Sequence, residues 1–231
     1  MRGKRMVSPL LTALCLLTFS ICMSQDKAPT VISALPCEVP SDAVVLFGGS
    51  CLDNWQNTDG SAATWKLVDD AMEVSKGSIM TKQKFGSIQL HLEFRMPAPA
   101  VGEGQDRGNS GVYFHGNYEV QILDSYENVT YFDGQCASVY KTAPPLVNAS
   151  RPPGIWQTYD IVFHAAELDN AGKVTKKATV TVLHNGVLVQ DNLEISPTGG
   201  AIGNQEFKKG PIMLQDHNHP VRYRNIWVRE L

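Results

Sequence analysis

Gly86-Ser87-Ile88-Gln89-Leu90-His91-Leu92-Glu93-Phe94-Arg95-Met96 is the stretch that decides the fold. Ile88, Leu90, Leu92, Phe94 and Met96 fall on one side, and Gln89, His91, Glu93 and Arg95 on the other. A period of two sends successive side chains to opposite faces of a strand, so this segment has one buried and one wet face. Outward from it, strand-like runs recur at Val44–Phe47, Trp65–Val68, Ala71–Val74, Gly111–His115, Tyr118–Leu123, Thr158–Ala165, Ala178–Leu183, Val187–Asn192, Pro211–Gln215 and Val221–Arg229. Asp69-Asp70 reads as a tight hairpin turn. Asn185-Gly186 is the strongest hairpin signal, because the favoured two-residue turn needs positive φ at both positions. No segment carries a convincing helix of three turns. Many short strands separated by turns mean a sandwich or a barrel. The expected fold is all-β, a two-sheet antiparallel jelly-roll sandwich, with residues 44–231 as one domain. Pro97–Asn109 and Asp124–Ile155 break the pattern. Loops of that length in a compact domain are usually functional or disordered, and Tyr126, Tyr131 and Tyr140 in the second argue for order.

The 231 residues are 43% hydrophobic and 19% charged, with a formal net charge of −3. This is a globular composition, and it offers no basic balance for nucleic acid. The N-terminus has its own layout. Arg2, Lys4 and Arg5 precede the uncharged run Leu10–Met23, and Cys22-Met23-Ser24 ends it before Gln25. That is the three-part order of a secretory signal peptide, with an apolar run short for a membrane span. The expectation is a signal peptide at 1–24, a lead-in at 25–43, and a mature chain without a membrane span, exported to the periplasm or outside the cell. A lipid anchor at Cys22 fits less well, since Ile21 is bulky. Loss of three cations and no acid takes the net charge to −6, so polyanion partners become less suitable still. Cys37, Cys51 and Cys136 remain. Export permits disulfides; Cys37 and Cys51 are the expected pair, contributing about 3 kcal/mol in the chain-entropy account, and Cys136 is expected as a buried thiol. Asn128-Val129-Thr130 and Asn148-Ala149-Ser150 match the glycosylation sequon, which matters in a eukaryotic secretory pathway.

Two constellations carry chemistry. In Gly108-Asn109-Ser110-Gly111-Val112-Tyr113-Phe114-His115-Gly116-Asn117-Tyr118-Glu119-Val120-Gln121-Ile122-Leu123-Asp124, two strands meet at Gly116-Asn117. Glu119 and Gln121 share one strand face, opposite Tyr118, Val120 and Ile122. Asp124 follows just past the strand end. Carboxyls so close can split into acid and base if their environments differ; a solvated outer face with a turn Asp is the plain alternative. The second constellation is Gly210 to Trp227, where Gln215-Asp216-His217-Asn218-His219-Pro220 makes a turn between strands. His is suited to proton transfer near neutral pH, Asp216 could tune His217, and Arg222 and Arg224 share a strand face that could hold an anionic oxygen. Its alternative is a polar turn with Asp216 capping backbone donors. His217, His219, Asp216 and Glu119 could also ligate a divalent ion. His91, His164 and His184 read as structural or solvated. Trp65, Trp156 and Trp227 read as core anchors; Trp55 could stack on a sugar but reads as core.

These motifs resemble the 3-keto-disaccharide hydrolase domain family. The matching pieces run in family order: Leu46-Phe47-Gly48-Gly49 through Leu52-Asp53-Asn54-Trp55, then Gly108 to Phe114, Tyr118 to Ser125, Trp156-Gln157-Thr158-Tyr159-Asp160, His184-Asn185-Gly186-Val187, and Gly210 to Trp227. Phe47-Gly48-Gly49-Ser50-Cys51 departs from the plainer turn of the family. The resemblance implies a concanavalin A-like lectin or glucanase sandwich with a concave sugar groove. It also implies a carbohydrate substrate already oxidised at C3, cleaved by removal of the C2 proton, β-elimination and net hydrolysis. Glu119-x-Gln121-x-x-Asp124 is similar to the Glu-x-Asp-x-x-Glu strand of retaining glucanases, but Gln121 in place of the middle Asp makes double displacement doubtful. For the elimination route, residue chemistry and position give the expected catalytic set: His217 as base, which Asp216 could orient, with Glu119 or Asp124 as acid. Asn109, Tyr113, Gln121, Gln215, Arg222 and Arg224 are the implied substrate-binding set, and a divalent metal could replace Arg222 as electrophile. A non-catalytic carbohydrate-binding module and a conventional glycoside hydrolase are the rival readings, since one fold serves many functions.

Overall fold

The computed structural model describes residues 30–33, 38–198, 203 and 205–231. The expected signal peptide and Cys37 lie outside them. Residues Ile32–Leu231 form one compact unit, and among the described residues no helix is long and apolar enough to cross a membrane.

Among the described residues, fifteen strands, numbered in chain order, build this unit. The larger sheet has eight. Its centre is β6 (Ile88–Arg95), flanked by β9 (Trp156–His164) and β15 (Arg222–Glu230). Outside β9 lie β12 (Ala178–His184) and β13 (Val187–Ile195). The other edge of β15 carries β4 (Ala71–Glu73), which pairs β3 (Lys66–Val68), and, further along, β1 (Val44–Phe47). The smaller sheet runs β2 (Trp55–Asn57), β5 (Ile79–Thr81), β14 (Ile212–Leu214), β7 (Ser110–Phe114) and β8 (Tyr118–Ile122). A short ribbon joins β10 (Glu167–Leu168) to β11 (Val174–Lys176). All pairings are antiparallel.

The decisive stretch behaves as its period requires: buried and half-buried residues alternate along the whole of β6. Its apolar face meets the smaller sheet across one core. Phe114 of β7 stacks on Phe163 of β9 with ring centroids 4.7 Å apart, and Ser110 of β7 hydrogen-bonds the Tyr223 hydroxyl of β15 at 2.6 Å. Each large apolar side chain removed from water contributes roughly 1.5–3 kcal/mol, so a core spanning both sheets does not depend on a crosslink. Cys136 is buried and free. Burial pushes its thiol up to about 11, which keeps it protonated and unreactive near neutral pH. Trp55 is also buried, its indole donating to Leu46 O at 2.9 Å; it is core, not a sugar platform.

The long segment 124–155 is ordered and has a clear task. Residues 137–140 run beside the free edge of β8: Ala137 N donates to Gln121 O at 2.9 Å, Gln121 N to Ser138 O at 2.9 Å, and Tyr140 N to Glu119 O at 3.2 Å. An exposed strand edge is thereby covered, and a wall rises over the outer face of the smaller sheet. The segment 97–109 folds against it. Asn128 Oδ1 accepts from Gly104 N at 2.8 Å, and Asn128 Nδ2 donates to Gly104 O at 3.0 Å.

Candidate active site

The β7–β8 register sets Tyr113 opposite Glu119 and Gly111 opposite Gln121. Met213 of β14 lies beside Tyr113, and Gln215 N continues the ladder to Gly111 O at 3.0 Å. Alternation therefore places Tyr113, Glu119, Gln121 and Gln215 on the face turned away from the core. A cavity of about 280 Å³ opens there. Its floor is Tyr113, Glu119, Gln121 and Gln215; Asn109, Gln105, Tyr140 and Thr198 form its walls, and His217 stands at its rim. Glu119 and His217, nearly a hundred positions apart in the sequence, thus serve one hollow.

Gly111 creates the room for the carboxyl. A Cβ at that position would lie 2.7 Å from Glu119 Oε1 and 3.0 Å from Tyr113 Cε2. Gly111→Ala is expected to displace the carboxyl and overpack the strand. The expected cost is about 1–3 kcal/mol of stability and roughly a hundredfold in turnover, measured by thermal melting and initial rates. Glu119 is 5% exposed. Burial pushes its carboxyl up to about 7, with a hydrogen bond from Tyr113 pulling the other way. Burial first, and then the charge of Glu119, hold the Tyr113 phenol far above its ordinary value, so it remains a hydroxyl.

The amide side chains are tied down at one end. Gln215 Nε2 donates to Tyr113 Oη at 2.9 Å, Gln121 Nε2 to Gln105 Oε1 at 3.2 Å, and Asn109 Nδ2 to Gln105 O at 2.8 Å. Gln105 Nε2 in turn donates to Thr130 Oγ1 and Gly134 O, both at 2.9 Å. The oxygens of Gln121 and Gln215 are buried with no hydrogen-bond partner among the described residues. Both side chains line the cavity, so these oxygens are acceptors there for a donor, whether water or a ligand hydroxyl.

Other expected site residues are placed differently. Asp124 does not line the cavity: its Oδ2 accepts from Arg107 Nε at 2.8 Å and its Oδ1 from Tyr126 N at 3.3 Å. The pair is largely buried and holds the two loops together, so Asp124 is not placed to act as an acid. Asp216 does not orient His217. Its Oδ2 accepts from Gly77 N and its Oδ1 from Asn218 N, both at 2.8 Å, which is the turn-capping alternative. The His217 ring is exposed, lies parallel to His219 with centroids 6.0 Å apart, and makes no protein hydrogen bond among the described residues.

Arg222 and Arg224 are absent from the cavity because the chain leaves the smaller sheet after Leu214 and enters the larger one at Arg222. Tyr223 then points into the core, and both arginines point to the far outer face. Arg222 Nε donates to Glu73 Oε2 at 2.7 Å. Arg224 Nε donates to Glu93 Oε2 at 2.7 Å, with its guanidinium 4.2 Å over the Trp156 ring. A larger hollow of about 440 Å³ opens beside Arg222, but its Arg222 and Glu73 already neutralise one another. The half-buried Trp156, held between Arg224 and Arg95, is a surface platform and not a core anchor. His184 is buried against Gln157 at 2.9 Å. His91 bonds Asp160 at 2.7 Å and stacks on Trp227 on that same far face.

No three His, Cys, Asp or Glu side chains gather as a metal-ligating set among the described residues. Glu119 and His217 are the cavity's one carboxyl and one imidazole, which does not fit the expected four-residue metal set. Gln105, Tyr140 and Thr198 were not among the expected site residues. They sit in irregular segments, and the one signal for Tyr140 is the aromatic content of its long loop.

Among the curated proteins none matches this chain. Three solved structures from Parabacteroides distasonis ATCC 8503, each provisionally described as a glycosyl hydrolase, are similar to it. One is 40% identical, with a TM-score of 0.83, covering 96% of this chain and 100% of that one. The others, at 17% and 22% identity with TM-scores of 0.59 and 0.58, cover 82% of this chain and 94% and 99% of theirs, and share the fold. The profile of the 3-keto-alpha-glucoside-1,2-lyase-like domain matches residues 42–229. With that span of sequence and a jelly-roll sandwich to carry it, the chain belongs to the 3-keto-alpha-glucoside-1,2-lyase-like domain family.

Proposed function

We propose that this chain is an exported carbohydrate-active enzyme that cleaves 3-keto-glycosides by C2 proton abstraction and β-elimination, with water addition completing a net hydrolysis. The observation that carries this reading is the content of the cavity: one carboxyl, Glu119, and one imidazole, His217, among neutral hydrogen-bonding groups. Ordinary glycoside hydrolysis needs two carboxylates flanking the bond, and Asp124, the nearest second one in the sequence, is engaged by Arg107. An acid and a base of different chemical kind instead suit an elimination.

A ketone at C3 acidifies the hydrogen on C2. His217 at the rim takes that proton, and the electron pair moves onto O3. The pair then returns to restore C3=O as C1=C2 forms and the C1–O bond breaks. Glu119, with its carboxyl at about 7, supplies the proton for the departing oxygen. Water adds to C1, and a proton returns to C2. The unpaired oxygens of Gln121 and Gln215 accept hydroxyl hydrogens of the sugar, and Asn109 lies where it can hold another oxygen.

The test is a panel of 3-keto-glycosides and their unoxidised parents incubated with the purified protein. Aglycone release from the keto sugars alone is the expected result. Release from the parents alone would return the chain to conventional glycoside hydrolysis, and binding without release from either would make it a binding module.

A further inference from the structure

With Arg222 paired on the other sheet, the charge that develops on O3 in the proposed elimination has no guanidinium to meet it. Nor is any other Lys or Arg among the residues lining the cavity. A developing oxyanion in a water-poor site needs at least one donor already aimed at it, so the donor has to be a neutral group. The hydroxyls lining the cavity belong to Tyr113, Tyr140 and Thr198. Thr198 Oγ1 donates to Asn117 O at 3.0 Å and accepts from Glu119 N at 3.1 Å, so its hydrogen is spoken for. Tyr140 Oη shares a 2.8 Å hydrogen bond with Tyr131 Oη at the exposed end of the wall. Tyr113 differs from both. It is 4% exposed, stands directly across the strand pair from Glu119, and its oxygen accepts from Gln215 Nε2 at 2.9 Å. That bond occupies a lone pair; the hydroxyl hydrogen is directed at the Glu119 carboxyl. Once Glu119 carries the proton it needs as the acid, that hydrogen is released to a second acceptor in the cavity.

We propose that Tyr113 Oη is the enolate-stabilising donor, a catalytic residue that hydrogen-bonds O3 as the C2 proton leaves, and that Gln215 is its positioning residue. This rests on the elimination reading above. The phenol gives no proton away in the step. It shortens its bond to O3 while the negative charge resides there, and relaxes when C3=O is restored and the C1–O bond has broken. Protonation of the departing oxygen remains with Glu119. The two roles sit side by side over Gly111, where both side chains crowd the position a Cβ would occupy.

The roles respond differently to the leaving group. An alkoxide needs a proton to depart, whereas a nitrophenolate does not. The experiment compares wild type, Tyr113→Phe, Gln215→Ala and Glu119→Gln on an alkyl and a 4-nitrophenyl 3-keto-glucoside, with melting temperatures measured in parallel. Tyr113→Phe keeps the ring and removes the hydroxyl alone. It is expected to lose about 10²–10³-fold in kcat, the range for one oxyanion donor, on both substrates and with KM within about threefold. Gln215→Ala is expected to lose roughly tenfold in kcat on both substrates, since the phenol remains but is less well held, and to raise KM as well, because it also removes an acceptor for a sugar hydroxyl. Glu119→Gln should recover most of its loss on the nitrophenyl substrate. If Tyr113→Phe stays within about threefold of wild type, or its loss vanishes with the good leaving group, Tyr113 is not the enolate donor, while the elimination reading stands. Should wild type cleave neither keto sugar, both ideas fall together.

Discussion

Glu119→Gln lowers kcat on alkyl 3-keto-glycosides by about 10³-fold and, in the same protein, raises the melting temperature at pH 8. The first effect follows from losing a proton donor, for which 10²–10⁴-fold is the usual range. The second follows from the burial that makes the donor useful. Desolvation pushes the carboxyl from 4.5 to about 7, so the native state holds that proton more tightly than the unfolded chain does. Stability is then undiminished below about pH 4.5 and falls as the pH rises through 7. The loss at alkaline pH is about 3 kcal/mol, at 1.36 kcal/mol per pH unit. Glutamine does not titrate and escapes the penalty. The variant should therefore melt several degrees higher than wild type at pH 8 and close to it at pH 4. The same value gives the activity an alkaline limb: the acid loses its proton above about pH 7, and the rate falls tenfold per unit until another path takes over. A variant that lost activity together with stability at pH 8 would place Glu119 among the structural carboxylates.

His217→Ala separates the two properties in another way. The ring is exposed, on a turn that Asp216 caps without it, so its removal should leave the melting temperature within a degree or two. Turnover should fall by about 10²–10⁴-fold, with KM little changed, because a base that acts in the transition state contributes little to ground-state binding. A full-strength His217→Ala enzyme would reassign the base. The contrast with Asp124 is instructive: it is as buried as Glu119 and close to it in sequence, but its carboxylate answers Arg107 at 2.8 Å, and cutting that pair removes stability first.

Much of this architecture can be read from side-chain alternation. Residues 88–95 specify a strand with one face in the core, and Tyr118 to Ile122 specify which way Glu119 and Gln121 turn once the register is set. β2 and β5 escape that reading: each is three residues long and shows less than two periods, whereas the equally short β3, β4 and β14 lie in strand-like runs of four or five residues that the sequence does show. The arginines mark a different limit. Spacing places Arg222 and Arg224 on one face of one strand, and so they are. Which sheet that strand joins depends on where seven residues of turn cross the sandwich, and no local pattern encodes the crossing. Asp216 and Asp124 show the competition between chemistry and local backbone geometry: a carboxylate at a turn finds nearby N–H donors before it finds a catalytic partner. Tyr140 and Gln105 enter the cavity from irregular chain, where there is no period to follow.

The central claim is that a proton leaves C2 of a keto sugar in the hollow between residues 119 and 217. It is tested most directly by incubating the protein in D₂O with a 3-keto-glucoside and following C2 of substrate and product by NMR. Deuterium at C2 of the released 3-keto sugar, formed by wild type and lost with His217→Ala, is the predicted result. Release of a 3-keto sugar that keeps its original C2 hydrogen would contradict the account.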